Sequence, residues 1–293
     1  MKSAIEISDE DVAFFREHGW LRLDAITNAE EVGRLRGIFD RLFSERAGWE
    51  RGRAFDLVGA DGDRKDGTPR LSQILRPVDY APELADIQFR RNALAVAKRL
   101  LGPDAEPWFE HAIYKPAEHG AATPWHQDEA HRSDAHVEYE QLSIWMPLQP
   151  ATVENGCMKY ISGSHKGPIL EHRSLNGDPK KPALECIGEF DAAAAEPCPL
   201  PAGGAAIHHG RTLHGAGQNT TTETRRAYIL AFRGPVRPRP DGKQFPWIAG
   251  KRTAATERAE AWKNRGGTIG RAARVVGKFA GDAVRRMRRV FRG

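Results

Sequence analysis

At 293 residues, with a formal net charge of +5, the chain is long enough to bury a substantial core, as one large β-rich domain with helical decoration or as two domains. Its three cysteines, Cys157, Cys186 and Cys198, show no paired spacing and no C-x-x-C, so they suggest neither a disulfide framework nor a zinc knuckle. That usage fits a reducing cytosol, and the absence of an N-terminal apolar stretch or any bilayer-length apolar run excludes a signal peptide and a membrane-spanning helix from the expectation, which is a cytoplasmic protein.

Ser8-Asp9-Glu10-Asp11 reads as a helix start, with Ser8 as N-cap and acids in the first turn, and the helix stops at His18-Gly19. Trp20-Leu21-Arg22-Leu23 alternates as a strand. A second helix begins around Thr27-Asn28, with Val32, Leu35, Ile38, Phe39, Leu42 and Phe43 at spacings of three and four. Residues 51–70 are rich in Gly, Asp and Arg and read as a loop, and a third helix is expected over Ala81–Leu101, stopped by Gly102-Pro103. From there short strands dominate: Glu106–Tyr114, Glu140–Leu148, Cys157–Ile161, Ala183–Phe190, Ala205–His208 and Ala227–Arg233, separated by Gly, Pro and Asn clusters. Strands in this number without intervening helices point to an antiparallel sandwich or jelly roll. Within Leu142–Leu148, Ile144 and Met146 share one face and Ser143 and Trp145 the other.

The charge is unevenly placed. Lys263–Gly293 carries ten basic residues against Asp282, a local +9 that leaves the remainder at −4. Over Thr268–Gly293, Ile269, Ala272, Val276, Phe279, Ala283, Met287 and Val290 form an apolar helical stripe with the arginines largely off it. A basic amphipathic helix of this kind suits peripheral contact with an anionic membrane surface, and a lipid-linked substrate would follow from that. Gly270, Gly277 and Gly281 weaken it, so packing on the barrel, packing on another subunit, and disorder stay open, with nucleic acid ranked lower. The expected organisation is one domain over 1–250, helical over 1–102 with a β core over 103–235, then a basic tail over 251–293.

The chemistry is concentrated in His126-Gln127-Asp128, His214 and Arg225. Two imidazoles and a carboxylate make a facial triad, which holds a ferrous ion on one side and leaves the opposite positions open. On a strand, His126 and Asp128 would project to the same face. Arg225 follows His214 by eleven positions, close enough to return on the next strand into the same cavity, where a guanidinium grips a carboxylate bidentately, as an oxoacid co-substrate requires. Glu129, His131, Arg132 and His136, with Arg70, Arg76 and Arg211, are candidate substrate contacts, and so many cations would suit an anionic small molecule. His111 and Lys115 lie on the strand before the H-x-D. Of the adjacent His208 and His209, only one can face inward, and neither matches the triad.

Thr123-Pro124-Trp125-His126-Gln127-Asp128, Trp145-Met146-Pro147-Leu148, Glu154-Asn155-Gly156-Cys157, Gly163-Ser164-His165-Lys166-Gly167 and His214-Gly215-Ala216-Gly217-Gln218-Asn219 keep their order and spacing. In these segments the chain resembles the phytanoyl-CoA dioxygenase-like family of iron(II)/2-oxoglutarate oxygenases, from about the first helix to Arg233. The resemblance implies a mainly β protein with flanking helices around a double-stranded β-helix, the cupin-like jelly roll. It also implies Fe(2+) held by His126, Asp128 and His214, 2-oxoglutarate and O2 as co-substrates, and Arg225 on the distal carboxylate. Gln127 and Trp145 match positions lining the co-substrate site, while Ala216 stands where a relative carries a hydroxyl. Related halogenases lack the carboxylate so that chloride can bind, so Asp128 favours hydroxylation of an unactivated C–H bond, or a desaturating or ring-forming variant. The alternatives are a cupin-like hydrolase or isomerase on zinc or manganese, and a family member without turnover.

Overall fold

Every residue of Gln141–Pro147 is buried, so this strand is covered on both faces, and side-chain alternation sends each face to a different layer. Leu142, Ile144 and Met146 join a core shared with helices, whereas Trp145 belongs to a second core between two sheets. The computed structural model that shows this describes residues 5–59, 68–240 and 242–266.

The chain opens with α1 (Asp9–His18), β1 (Trp20–Leu23), α2 (Ala29–Ser44), β2 (Ala54–Asp56), β3 (Ser72–Leu75) and α3 (Gln88–Leu101). The strands β4 (Glu106–Lys115), β5 (Thr123–His126), β6 (Val137–Glu138), β7 (Gln141–Pro147), β8 (Met158–Ile161) and β9 (His172–Ser174) follow. Then come β10 (Leu184–Cys186), β11 (Ala195–Cys198), β12 (Ala205–His209), β13 (His214–Ala216), β14 (Arg225–Arg233), β15 (Arg237–Pro238) and α4 (Ala254–Asn264). A seven-stranded sheet runs β1-β12-β7-β14-β4-β3-β2, and a four-stranded sheet runs β11-β8-β13-β5. All pairings within both are antiparallel. The fold is the mainly β jelly roll with flanking helices that the strand pattern and the resemblance lead one to expect.

β14 repeats the logic of β7. Tyr228, Leu230 and Phe232 face the helical layer, where Tyr228 meets Phe39 of α2 and Phe89 of α3 at ring distances of 5.2 and 5.6 Å. Ala227 and Ile229 face the inter-sheet core, and Arg225 at the start of the strand projects the same way. The helices are pinned locally as their sequences indicate. Ser8 Oγ accepts from Asp11 N while Asp11 Oδ2 accepts from Ser8 N, a reciprocal cap at α1. Gly19 ends α1 at φ 78°, where a side chain would strike His165 and Thr212.

Four expectations need correction. The third helix does not begin at Ala81: single 3-10 turns occupy Pro77–Asp79 and Pro82–Leu84, and α3 starts only at Gln88. Its first amides are capped by a distant residue, Glu31, whose carboxylate accepts from Gln88 N (2.7 Å) and Phe89 N (2.9 Å). The expected loop over 51–70 contains β2, and the expected strand over Ala183–Phe190 shrinks to Leu184–Cys186. The H-x-D is not wholly on a strand, because β5 ends at His126 and a 3-10 turn begins at Asp128.

C-terminal to the core, the chain lies back across one end of the barrel. Trp247 Nε1 donates to Ala130 O (2.9 Å), Gln244 Nε2 to Ser133 O (3.0 Å) and Lys251 Nζ to Pro182 O (3.0 Å), and Arg258 of α4 sits 3.6 Å from the Trp49 ring centroid. The described part of 251–293 is therefore docked on the body rather than a free tail. The basic stripe of Thr268–Gly293 lies outside the described residues. Among the described residues, no helix is long and apolar enough to cross a membrane.

Candidate metal centre and active-site cavity

β13 lies between β5 and β8, and its register places His214 opposite both His126 and Tyr160. That register brings two imidazoles 4.2 Å apart between ring centroids, with Asp128 following on the turn after β5. Nε2 of His126 and of His214 lie 3.6 and 3.5 Å from Asp128 Oδ1. One ligand atom from each of the three residues falls within 4.8 Å of the others, the spacing of donors around one ion.

The surroundings fix each donor. His126 Nδ1 lies 2.8 Å from Pro124 O and His214 Nδ1 2.8 Å from Thr212 O. A carbonyl only accepts, so each Nδ1 carries the proton and each Nε2 offers its lone pair toward the centre. Burial, with His208 and His126 nearby, pushes His214 well below the ordinary histidine range and keeps it neutral. Burial pushes the Asp128 carboxyl up, but His214, His126 and His208 outweigh it and hold it well below the usual carboxylate range. Two neutral imidazoles and one carboxylate suit a divalent, redox-active cation.

The centre opens into a cavity of about 430 Å³. At the far side Arg225, only 1% exposed, turns inward from β14, with its Nε and Nη1 lacking any hydrogen-bond partner. Its guanidinium carbon stands 5.2 Å from the Trp145 ring centroid, and burial pushes its pKa down to about 9, so it is still cationic at neutral pH. A buried guanidinium with idle donors, lining the same cavity as His126, Asp128 and His214, suits a carboxylate-bearing ligand. Arg226, next along the strand, faces outward and pairs with Asp40 at 2.6 Å.

Other sequence candidates separate. Gln127 does not line the cavity: its Nε2 donates to Arg211 O (2.7 Å) and Pro168 O (3.3 Å), and its Oε1 accepts from Leu170 N (2.8 Å). Being between His126 and Asp128, it points away from them and clamps backbone groups of two loops behind the site. Trp145 does line the cavity. Lys115 is fully buried behind it, donating to Gly217 O at 2.5 Å, and is pushed well below the ordinary lysine range by burial and by Arg225. Arg70, Arg76 and Arg211 are not among the lining residues, and Arg132 shares the buried Glu129 carboxylate with Arg211, which binds it at 2.8 Å. The expected convergence of cations on the mouth does not occur. Phe55, Trp108, Phe109 and Tyr139 are there instead, with Gln73, Gln141, His111 and His131.

Two lining residues that contact Asp128 were not picked out as site residues in the sequence. Ser143 Oγ donates to Asp128 Oδ2 (2.6 Å), and His208 Nε2 lies 3.1 Å from the same oxygen. Strand alternation carried the signal, since it places Ser143 on the face of Trp145 and lets only one of His208 and His209 turn inward.

Compared with known proteins, residues 15–227 match the family model described as phytanoyl-CoA dioxygenase. The chain belongs to the phytanoyl-CoA dioxygenase family. Among curated relatives, a probable alpha-ketoglutarate-dependent hypophosphite dioxygenase of Stutzerimonas stutzeri is 26% identical over 223 residues, 74% of this chain and 76% of that one. Among solved structures, EvdO2 from Micromonospora carbonacea var. aurantiaca, complexed with 2-oxoglutarate, is 36% identical with a TM-score of 0.70, covering 85% of this chain and 99% of its own. SnoK, a non-heme alpha-ketoglutarate-dependent carbocyclase from nogalamycin biosynthesis, shares the fold at 23% identity and a TM-score of 0.63, over 82% and 89% of the two chains. As a member of the phytanoyl-CoA dioxygenase family, the protein is a 2-oxoglutarate-dependent dioxygenase, dependent on iron(II), 2-oxoglutarate and O2.

Proposed function

We propose that the protein hydroxylates an unactivated C–H bond of a neutral, largely apolar small molecule, with iron on His126, Asp128 and His214 and with Arg225 on the distal carboxylate of 2-oxoglutarate. The observation that carries this reading is the buried Arg225 guanidinium, its Nε and Nη1 unpartnered, in the cavity that holds the triad. Iron with 2-oxoglutarate and O2 supplies oxidative decarboxylation to succinate and CO2, and with it the oxidising power to remove hydrogen from a C–H bond.

The chain's own residues do the rest. Arg225 neutralises one end of the co-substrate, and Trp145 packs beneath the guanidinium. The aromatic side chains Phe55, Trp108, Phe109 and Tyr139 exclude water and hold an apolar body. His111, pushed down to about 4 by burial, is neutral at pH 7, and its buried Nδ1 has no partner. Together with Gln73 and Gln141 it offers hydrogen bonds without charge. Arg132 is paired with Glu129, and Arg70, Arg76 and Arg211 do not line the cavity, so its substrate end carries fewer cations than the arginine-rich sequence suggests and a neutral ligand is the better match.

The test is a screen of neutral and anionic ring-bearing metabolites scored by substrate-stimulated succinate release, repeated under isotopically labelled O2. Hydroxylation predicts one labelled oxygen atom in the product as well as one in succinate. A product that gains a double bond or ring and no label would replace hydroxylation by a desaturating or cyclising outcome. Stimulation by anionic compounds alone would refute the neutral-substrate reading.

A further inference from the structure

Asp128 uses its two oxygens differently. Oδ1 faces His126 and His214, at 3.6 and 3.5 Å from their Nε2 atoms, whereas Oδ2 faces the large sheet. There Ser143 of β7 and His208 of β12 are direct cross-strand partners, and both turn inward onto Oδ2, at 2.6 and 3.1 Å. The other His208 nitrogen, Nδ1, lies 3.3 Å from the hydroxyl of Tyr160, a residue of β8 in the opposing sheet. Tyr160 is fully buried, and the Asp128 carboxylate can only accept, so the contact at His208 Nε2 requires the ring proton there. With that hydroxyl donating to Nδ1, the ring proton of His208 sits on Nε2 and is donated to the carboxylate.

We infer that Ser143 and His208 form a two-donor clamp that keeps Asp128 Oδ2 off the metal. Asp128 then binds through Oδ1 alone. The consequence is a matter of counting positions. Two imidazoles and one carboxylate oxygen leave three of six octahedral positions, which accommodate a bidentate 2-oxo acid and O2. A carboxylate free to bind through both oxygens would take a fourth position, and the 2-oxo acid would then leave none for O2. Two hydrogen bonds to a buried carboxylate oxygen, both charge-assisted, are strong enough to hold one rotamer. Neither Ser143 nor His208 touches the reacting atoms in this account, so both are positioning residues, and Tyr160 sets the tautomer of one of them.

The inference rests on the triad reading, and the experiment separates the two. Apo-protein is first titrated with Co(II) alone to establish metal binding. It is then loaded anaerobically with Fe(II) and saturating 2-oxoglutarate and exposed to nitric oxide, a stand-in for O2 at the open position. The nitrosyl EPR signal is normalised to bound iron, and melting curves establish that each variant is folded. The wild type and Arg226→Ala give the full signal. In Ser143→Ala and His208→Leu the signal per bound iron falls about tenfold. His208→Gln, whose side-chain amide nitrogen replaces Nε2 as a donor, recovers most of it. A full nitrosyl signal in both Ser143→Ala and His208→Leu overturns the clamp, whatever their melting temperatures. So does a His208→Gln variant as deficient as His208→Leu, because packing rather than the donor would then be what matters. His214→Ala is the control for the triad: if it still binds Co(II) like the wild type, the triad reading itself fails, whereas its loss alongside unaltered clamp variants sinks only the clamp.

Discussion

Adjacent arginines, Arg225 and Arg226, have opposite fates because strand alternation sends one into the cavity and the other to Asp40. Arg225→Ala removes a buried guanidinium whose Nε and Nη1 are both unpartnered, and breaking a buried charge pair of the kind proposed costs about 2–5 kcal/mol. Calorimetric titration is expected to show 2-oxoglutarate binding weakened by roughly two orders of magnitude or more in Arg225→Ala. Arg226→Ala removes a partly exposed ion pair and is expected to change it less than about threefold. The opposite ranking would mean that the inward face has been misassigned. That His126, Asp128 and His214 come together and that Arg225 faces their cavity was expected from the order of the motif and the family's spacing, not from residue type and interval alone. Gln127 was misread because a family position tells which residue stands there, not which way its side chain turns. Ser143 and His208 were passed over because a serine and a histidine in strands have no motif. Their role exists only through the pairing of β7 with β12.

At the scale of elements, long periodic segments with their own caps were readable and those that borrow caps were not. α1 carries its N-cap in Ser8 and its stop in Gly19, and both lie where the sequence puts them. α3 has no side-chain cap at Ile87 and depends on Glu31, 57 residues before Gln88. That debt to tertiary structure is why its start was placed too early, at Ala81, where Pro82 in fact opens a separate turn. Glu31 also accepts from Thr27 Oγ1 at 2.6 Å and is 7% exposed. Glu31→Ala therefore leaves two amides of α3 without a partner and is expected to lower stability by about 1–3 kcal/mol in denaturant melts. Because α3 covers the outer face of the large sheet, metal and co-substrate affinity in the folded variant should be unchanged. Unaltered stability would show that the contact to α3 contributes nothing. The short strands β5, β11 and β13 went unread for a further reason: nothing in their three or four residues marks them as Trp20–Leu23 is marked, and only pairing defines them.

Across the whole molecule the site is assembled from both sheets and from loops held behind them, and this gives it a pH dependence. His172, 2% exposed, accepts from Gln127 N at Nε2 (3.2 Å), while its Nδ1 lies 2.8 Å from Leu170 O. Only the neutral ring satisfies both contacts, and burial pushes its pKa from 6.5 to about 4. His111 is lowered to about 4 for the same reason. Between these values the unfolded chain binds more protons than the folded one, so stability rises with pH and is lost as pH falls from 6.5 toward 4. Each such histidine contributes a slope of up to about 1.4 kcal/mol per pH unit. Metal-free protein should melt progressively lower over that window, and His172→Gln should flatten the slope, whereas an unchanged slope would show that His172 is not its source. The most direct test of the account as a whole is an anaerobic titration of the Fe(II)-loaded protein with 2-oxoglutarate, followed by its visible charge-transfer absorption. A band that saturates at one equivalent, disappears in His214→Ala and needs far more 2-oxoglutarate in Arg225→Ala is the predicted result. A band that survives intact in His214→Ala, or never forms in the wild type, would contradict the assignment of this cavity as the iron and 2-oxoglutarate site.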